Sequence, residues 1–170
     1  GYKYFYDQSF KKKKEAFNKL SLGQNPKTLV VACSDSRVDP AVLTNSQLGD
    51  IFVVRNIANI IPKHSDKSEN NSTIAAIEFG ILVLKITNII VLGHSGCAGV
   101  KAIIENKLPN NLNNVKEWIH INSKLKDFVK EDVEKDFCFF EKENIKISMN
   151  NLLSFSWIKE KIKKKELFLK

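Results

Sequence analysis

Three short apolar runs, rich in β-branched residues, constrain the fold of this chain more than any other feature. They are T-L-V-V-A-C (28–33), D-I-F-V-V-R (50–55) and N-I-I-V-L-G (88–93). A strand covered on both faces is continuously apolar, whereas a strand with one solvated face alternates apolar and polar residues. We therefore expect three buried strands in the middle of a parallel sheet.

Helical patterns fill the intervals between and after these runs. The predicted helices cover residues 72–84 (capped by Ser72 or Thr73), 97–105, 115–133 and 143–165. In the last of them, Ile145, Met149, Leu152 and Leu153 form one apolar stripe. Residues 167–169 are predicted to be a final edge strand. This strand–helix alternation predicts right-handed crossovers and an α/β fold.

The domain organisation follows from the same pattern. No internal repeat and no Pro- or Gly-rich linker divides the 170 residues. We expect one α/β domain over 23–170, with a central, mostly parallel β-sheet flanked by helices. Residues 1–22 are predicted to be an N-terminal helical arm that packs on a neighbouring subunit, anchored by aromatic residues. These anchors are Tyr4, Phe5, Phe10 and Phe17.

The net charge of +8 comes from 27 basic and 19 acidic residues, and much of it lies in two lysine runs, 11–14 and 159–165. Such runs are typical of solvated helix faces. Nucleic-acid binding would need a basic surface combined with a reading motif. Neither RNP-type aromatic residues nor zinc-finger spacing occurs in the sequence, so we expect no nucleic-acid partner.

The sequence also predicts where the chain resides. The most apolar stretch, 74–90, is interrupted by Glu78, Lys85 and Asn88, which is unlike a transmembrane helix, so no membrane partner is expected. No secretory signal precedes the core, and the odd count of three cysteines favours a reducing compartment. We expect a cytoplasmic protein, although the start at Gly1 leaves the natural N-terminus open.

Two loops, which follow the first and third predicted strands, hold the residues best suited to metal binding and catalysis. They are C-S-D-S-R-V-D-P (33–40) and G-H-S-G-C-A-G-V (93–100). Sites in open α/β sheets form outside the carboxyl ends of the strands. Cys33, His94 and Cys97 would meet there as a Cys₂His set, a catalytic zinc arrangement that leaves a fourth position open.

Asp35 and Arg37 would complete such a site. Two thiolates neutralise Zn²⁺, so the centre should acidify its water less strongly than a tri-histidine site does. Asp35 would then help by accepting a hydrogen bond from zinc-bound hydroxide, with Arg37 clamping the carboxylate. If Arg37 released it, Asp35 would be able to take the fourth metal position and switch the site off.

Each of these residues also has a structural interpretation when taken alone. Cys33 would be a small buried apolar residue, His94 a capping or packing residue, and Asp35 with Arg37 a structural ion pair. Their convergence at two adjacent strand ends favours the metal site. Cys138 lies in the apolar run F-C-F-F, and we predict that it only packs.

Four segments resemble the β-class carbonic anhydrases, over about residues 10–169. They are C-S-D-S-R (33–37), H-S-G-C (94–97), G-D-I-F-V-V-R-N-I-A-N (49–59) and I-A-A-I-E-F-G (74–80). The resemblance implies homodimers or tetramers with active sites at the subunit interface and an N-terminal arm around the partner. It implies one Zn²⁺ per subunit, bound by Cys33, His94 and Cys97. Asp35 and Arg37 would form the catalytic dyad.

The resemblance also implies a substrate pocket. Gln24 would orient the substrate across the dimer, Phe52 would form an aromatic wall, Val38 and Ile57 would add apolar lining, and Phe79 replaces a tyrosine of many members. Val30 stands where the bicarbonate-inhibited subgroup has Trp, which favours an open fourth metal position. Members usually continue beyond the position of Lys170, so the catalytic domain is expected to be truncated at its C-terminal end.

The implied reaction is the reversible hydration of CO₂ to bicarbonate and a proton, by attack of zinc-bound hydroxide. His64, in a polar loop, is a candidate proton relay. Two alternatives stay open at this point. One is hydrolysis of carbon disulfide or carbonyl sulfide at the same site. The other is a non-catalytic, zinc-bearing basic interaction module, whose function would survive Asp35→Ala.

Overall fold

A parallel sheet carries the fold. The computed structural model describes residues 1–64, 71–129 and 136–170. Within them, four strands pair in the order β2-β1-β3-β4, and every pairing is parallel. The strands are β1 (Thr28–Cys33), β2 (Ile51–Asn56), β3 (Asn88–Leu92) and β4 (Phe168–Leu169). The predicted α/β fold is confirmed, including the short edge strand near the C-terminus.

Strand β1 is the centre of the sheet, because it pairs with both β2 and β3. Leu29 to Ala32 are 0–1% exposed and Cys33 is 5% exposed. The register sets Cys33 opposite Asn56, and Ala32 opposite Leu92. The three strands therefore end at one edge of the sheet, where the loops after β1 and β3 begin.

Helices cover the sheet and supply the rest of the core. The α-helices are α1 (Tyr2–Phe5), α2 (Lys14–Leu20), α3 (Pro40–Leu43), α4 (Ser72–Glu78), α5 (Ala98–Glu105), α6 (Asn113–His120), α7 (Phe137–Leu152) and α8 (Ser156–Lys163). Two π-helical turns (Tyr6–Phe10, Phe79–Val83) and three 3₁₀ helices (Lys11–Lys13, Ile57–Asn59, Ser123–Val129) join them. None of these described helices is both long and apolar enough to span a membrane.

The N-terminal segment is helical from Tyr2 to Leu20, as predicted, and contains no buried residue. Its aromatic rings contact one another, with Phe17 between Phe5 and Phe10 at centroid distances of 5.7 and 4.9 Å. Tyr2 and Tyr4 remain 78% and 73% exposed. The division into an arm over 1–22 and a catalytic domain over 23–170 stays a prediction.

Two predicted helices are each divided in two. The predicted helix 143–165 is two helices, α7 and α8. Between them, the Ser154 hydroxyl donates to the Asn151 carbonyl at 2.6 Å, a local bond that competes with the helix. The predicted helix 115–133 is α6 followed by a separate 3₁₀ helix, and Val133 lies outside the described residues.

Two further expectations were wrong. Asn71 caps α4, rather than Ser72 or Thr73, because its side chain accepts hydrogen bonds from the backbone N–H groups of Thr73 and Ile74. Cys138 is exposed rather than packed. It lies two residues before buried Phe140 on α7, a separation that turns it to the other side of the helix.

The cap of α4 can be tested directly. Asn71→Ala is expected to lower the free energy of unfolding by about 1 kcal/mol, since two N–H groups lose their acceptor. Urea unfolding measures the change. The matched control is Ser72→Ala, expected to stay within about 0.5 kcal/mol. Equal losses in the two variants would contradict this assignment of the cap.

Candidate active site and metal centre

The aligned strand ends bring together the three predicted metal ligands. Cys33 ends β1, His94 follows β3, and Cys97 is the N-cap residue of α5. One ligating atom from each lies within 4.8 Å of the others, and the two Sγ atoms are 3.9 Å apart. The side chain of His94 is 8% exposed, and Cys97 is 1% exposed. These donors are thus adjacent and shielded from solvent.

The imidazole of His94 is oriented for metal binding. Its Nδ1 lies 3.0 Å from the Ser95 carbonyl oxygen, so Nδ1 carries the proton and donates it there. Nε2 then holds a free lone pair, and this buried atom has no hydrogen-bond partner among the described residues. A ligating histidine characteristically donates its other N–H to a carbonyl or carboxylate. Nε2 is therefore the ring atom left to bind a cation.

The donor set fits Zn²⁺. Two thiolates at the usual Zn–S distance of about 2.3 Å in tetrahedral geometry are about 3.8 Å apart. The two sulfur atoms here are separated by 3.9 Å. Cys₂His is also one of the catalytic zinc ligand sets, with the fourth position left for water or substrate.

The two thiols share a charge in the metal-free protein. The Cys97 thiol donates to the Cys33 sulfur and lowers the pKa of Cys33 to about 4, against the opposing effect of burial. Backbone groups of Asp35 and Ala58 also lower this pKa. The pKa of Cys97 is raised, first because it supplies that hydrogen bond and second because it is buried. The site thus holds one thiolate, and a bound cation favours loss of the second proton.

Asp35 and Arg37 form a two-pronged ion pair beside these ligands. Arg37 Nε donates to Asp35 Oδ1 at 2.9 Å and Nη2 donates to Oδ2 at 2.7 Å, while the Arg37 backbone N–H also reaches Oδ1. These bonds hold the pKa of Asp35 well below its usual range. Arg37 Nη2 also donates to the Gly96 carbonyl, which ties the first loop to the second. Asp35 Oδ2 lies 4.0 Å from His94 Nε2.

Arg55 organises the first loop, a role that the sequence analysis missed. From the end of β2 its guanidinium donates to the carbonyls of Cys33, Asp35 and Val38 at 3.0, 2.7 and 2.8 Å. Its Nη1 lies 3.4 Å from Asp39, the residue that caps α3. The available signal was a cation that ends an otherwise apolar strand.

Glu141 is a second residue that the sequence analysis missed. It lies on α7, is 7% exposed, and accepts a hydrogen bond from the Cys97 backbone N–H at 3.0 Å. Three other polar residues, Asn144, Ser148 and Asn151, are buried on the same helix. Polar residues at helical spacing on a face that must be buried were the signal that could have revealed them.

Only some of the predicted pocket residues lie in or beside one cleft. Phe52 and Ile57 line an open cleft of about 520 Å³, together with Arg55 and Trp118. The ring of Phe79 lies beside that of Phe52, with a centroid distance of 6.4 Å.

The remaining predicted residues lie elsewhere. Val38 is buried in the first loop, whereas Gln24 is exposed and is not part of the cleft lining. Val30 is buried within β1. The ring of His64 lies 5.2 Å from that of Phe155, at the turn between α7 and α8, and the His64 backbone N–H donates to Ser154.

Comparisons with known proteins agree with this geometry. A sequence model of the family described as carbonic anhydrase matches residues 28–170. The chain is 39% identical to beta carbonic anhydrase 3 of Arabidopsis thaliana over all of its own length and 69% of that protein. It is 35% identical to the mitochondrial beta carbonic anhydrase 6 of the same plant, over 90% of this chain and 54% of that protein.

Solved structures of β-carbonic anhydrases are also similar to this chain. The β-carbonic anhydrase CcaA superposes with a TM-score of 0.90 at 33% identity, over 99% of this chain and 78% of that one. A tetrameric β-carbonic anhydrase from Sordaria macrospora superposes with a TM-score of 0.80 at 28% identity. That match covers 94% of this chain and 81% of the Sordaria chain.

The thiol pair gives a test in the metal-free protein. With Cys138→Ala to remove the exposed thiol, thiolate absorbance should persist through neutral pH and disappear as the pH falls through about 4. Adding Cys97→Ala removes the hydrogen-bond donor, so the thiolate should disappear nearer the ordinary cysteine pKa of about 8.5. An unchanged titration after Cys97→Ala would refute the shared-proton arrangement.

The role of Arg55 is tested by Arg55→Lys, which keeps the charge and loses the planar fork. Two of the three carbonyls should lose their donor, and the free energy of unfolding should fall by about 2–3 kcal/mol. Lys101→Ala, which removes an exposed cation paired with Glu105, is the control and should change it by less than about 0.5 kcal/mol. Chemical denaturation distinguishes them, and equal stability of the two variants would count against the role of Arg55.

Proposed function

This chain belongs to the β-class carbonic anhydrases, which are lyases, and from that premise we propose that it catalyses the zinc-dependent, reversible hydration of carbon dioxide to bicarbonate and a proton. The observation that carries the proposal is the unpartnered, buried Nε2 of His94, which lies beside two thiols and the Asp35–Arg37 pair. A metal-binding atom and a hydrogen-bond acceptor for the reacting water are thereby adjacent.

Cys33, His94 and Cys97 would hold one zinc ion per subunit. When bound, zinc lowers the pKa of a coordinated water molecule and so supplies a nucleophile at neutral pH. Asp35 accepts a hydrogen bond from the reacting water and fixes the direction of its lone pair. Arg37 keeps the carboxylate ionised and in place, since it donates to both oxygens.

The same clamp explains how Asp35 would act as a switch. Both carboxylate oxygens are engaged by Arg37, which keeps Asp35 in the helper position. If the guanidinium moved away, Asp35 would be free to become the fourth metal ligand. Arg37 is well placed for such a movement, because its side chain is 66% exposed.

The cleft suits an uncharged, linear substrate. Phe52 and Ile57 would contact CO₂ through apolar surface, and Phe79 would extend that surface beside Phe52. Gln24 is exposed in the single chain and would orient the substrate of a partner subunit.

A homodimer or tetramer is supported by the tetrameric relative from Sordaria macrospora. The exposed aromatic residues of the N-terminal segment support it too, since they would be buried against a partner. Active sites at the subunit interface are part of this proposal. The expected cytoplasmic location stays a prediction, since one relative is named mitochondrial.

The proposal is tested by measuring zinc content and stopped-flow CO₂ hydration on the same preparation. Asp35→Ala should keep its zinc and lose about 100-fold or more in turnover, since a positioned proton acceptor contributes about 10²–10⁴-fold. Asp50→Ala is the control, because this aspartate lies in the turn before β2, where its side chain accepts a hydrogen bond from the Gln47 backbone N–H. It should hydrate CO₂ at the unchanged rate.

The proposal fails if fully zinc-loaded protein hydrates CO₂ no faster than background at about pH 7 and about pH 9. It also fails in its mechanism if Asp35→Ala retains turnover. Removal of zinc by a chelator should abolish hydration, and adding zinc back should restore it.

A further inference from the structure

A strained turn lies next to the candidate metal ligands. Ala58 and Asn59, which follow β2, both have left-handed backbone conformations, with φ of 60° and 45°. Residues with a Cβ rarely adopt this region, because it is sterically unfavourable for them. Both are buried, at 0% and 1% exposure. Such a turn persists only where surrounding contacts hold it.

Helix α7 supplies those contacts through a ladder of buried polar side chains. Asn144 Nδ2 donates to the Ala58 carbonyl at 2.8 Å, the Ser148 hydroxyl to the Asn59 carbonyl at 3.1 Å, and Asn151 Nδ2 to the Ile61 carbonyl at 2.8 Å. The three ladder side chains are at most 1% exposed. One face of α7 therefore satisfies consecutive parts of the turn and the segment after it.

Asn122, from the turn after α6, fixes the amide of Asn144. Asn122 Nδ2 donates to Asn144 Oδ1 at 2.8 Å and lies 3.3 Å from the Ser148 hydroxyl. With Oδ1 occupied in this way, the amide group of Asn144 must point its Nδ2 at Ala58. A buried polar network of this kind is stabilising only when its members are satisfied, so its geometry is strict.

The turn contacts both loops that carry metal-binding residues. Ala58 lies in one buried cluster with Cys33 and Cys97, and its turn contacts both β1 and α5. On the α5 side, a Cβ added to Gly99 would be 2.8 Å from the Ala58 Cβ. The conformation of Ala58 therefore affects how the Cys33 loop packs against the loop that carries Cys97.

We propose that Asn144 is a positioning residue for the metal centre: it holds Ala58 in the left-handed conformation that packs between Cys33 and the first turn of α5. That packing fixes the positions of the Cys33 and Cys97 sulfur atoms relative to each other, as contacts around ligating residues do in other metal sites. This inference rests on the proposed function, because it concerns zinc binding at the same site.

A matched residue on the same helix separates positioning from stability. Asn151 is as buried as Asn144 and makes a bond of the same type and length. Its carbonyl partner, on Ile61, lies three residues further along the chain. Asn144→Ala and Asn151→Ala should therefore destabilise the fold similarly, and only Asn144→Ala should disturb Cys33.

The experiment compares three properties of these variants. Zinc affinity is measured by competition with a chelator, and the thiolate-to-metal charge-transfer band is recorded after cobalt substitution. The exchange rate of the Ala58 amide is measured by NMR in the metal-free protein. Asn144→Ala should weaken zinc binding about 10–100-fold, shift the band and speed the exchange, while Asn151→Ala changes affinity less than about threefold.

A rescue variant adds a further test. Glycine adopts the left-handed region without a Cβ penalty, so Ala58→Gly added to Asn144→Ala should restore most of the lost zinc affinity. If Asn144→Ala does not fold, the same glycine should restore its folding and should not restore the stability lost in Asn151→Ala. A glycine that leaves the zinc affinity of Asn144→Ala unchanged, or that rescues both variants equally, would overturn the inference.

The outcomes also separate this inference from the proposed function. Wild-type protein that binds zinc and hydrates CO₂, with Asn144→Ala matching Asn151→Ala in all three measurements, overturns the inference and leaves the function standing. Wild-type protein that binds no zinc overturns the function. The Ala58 amide exchange still decides the inference in that case: faster exchange in Asn144→Ala alone supports the hold on the turn, and equal rates refute it.

Discussion

Parallel pairing of β1 with both β2 and β3 is the constraint on which the site depends. Parallel strands in register end at the same edge of the sheet, so Cys33, Asn56 and the residues after Leu92 arrive side by side. A shift of one residue would turn every side chain of the strand to the opposite face. The continuous burial of β1 against helices on both faces makes such a shift costly, which gives the ligand positions their precision.

Around this edge, polar side chains bind the backbone groups of both loops. Arg55 satisfies three carbonyls of the first loop, and Glu141 satisfies the N–H of Cys97. Buried polar groups are stabilising only when they are bonded. The loops are thereby rigid without being part of the sheet, which is what a preformed metal centre requires.

The sequence was sufficient for the sheet and for the candidate ligands. Continuous β-branched runs identified three strands to within a residue or two, and the rule that sites form at strand ends selected Cys33, His94 and Cys97. The sequence was insufficient where a single side chain decides the local structure. Ser154 breaks a helix that the apolar pattern continues, and Asn71 takes over a cap.

Arg55 and the polar face of α7 were missed for a related reason. Their partners are backbone N–H and carbonyl groups distant in sequence, and backbone groups leave no trace in a residue pattern. Cys138 shows the converse, since apolar neighbours in sequence did not place it in the core. Cys138 is exposed because it lies on the opposite side of α7 from the buried Phe140.

Gly99 has a consequence for which substitutions this chain can accept. The methyl group of Ala58 and the side chain of Ile57 fill the space that any larger residue at position 99 would need. The limit there is one of volume rather than chemistry, because a single hydrogen atom is all that fits between the two loops. Substitution of Gly99 by a larger residue is therefore disfavoured, although Gly99 is not a candidate metal ligand and has no side chain that could form a hydrogen bond.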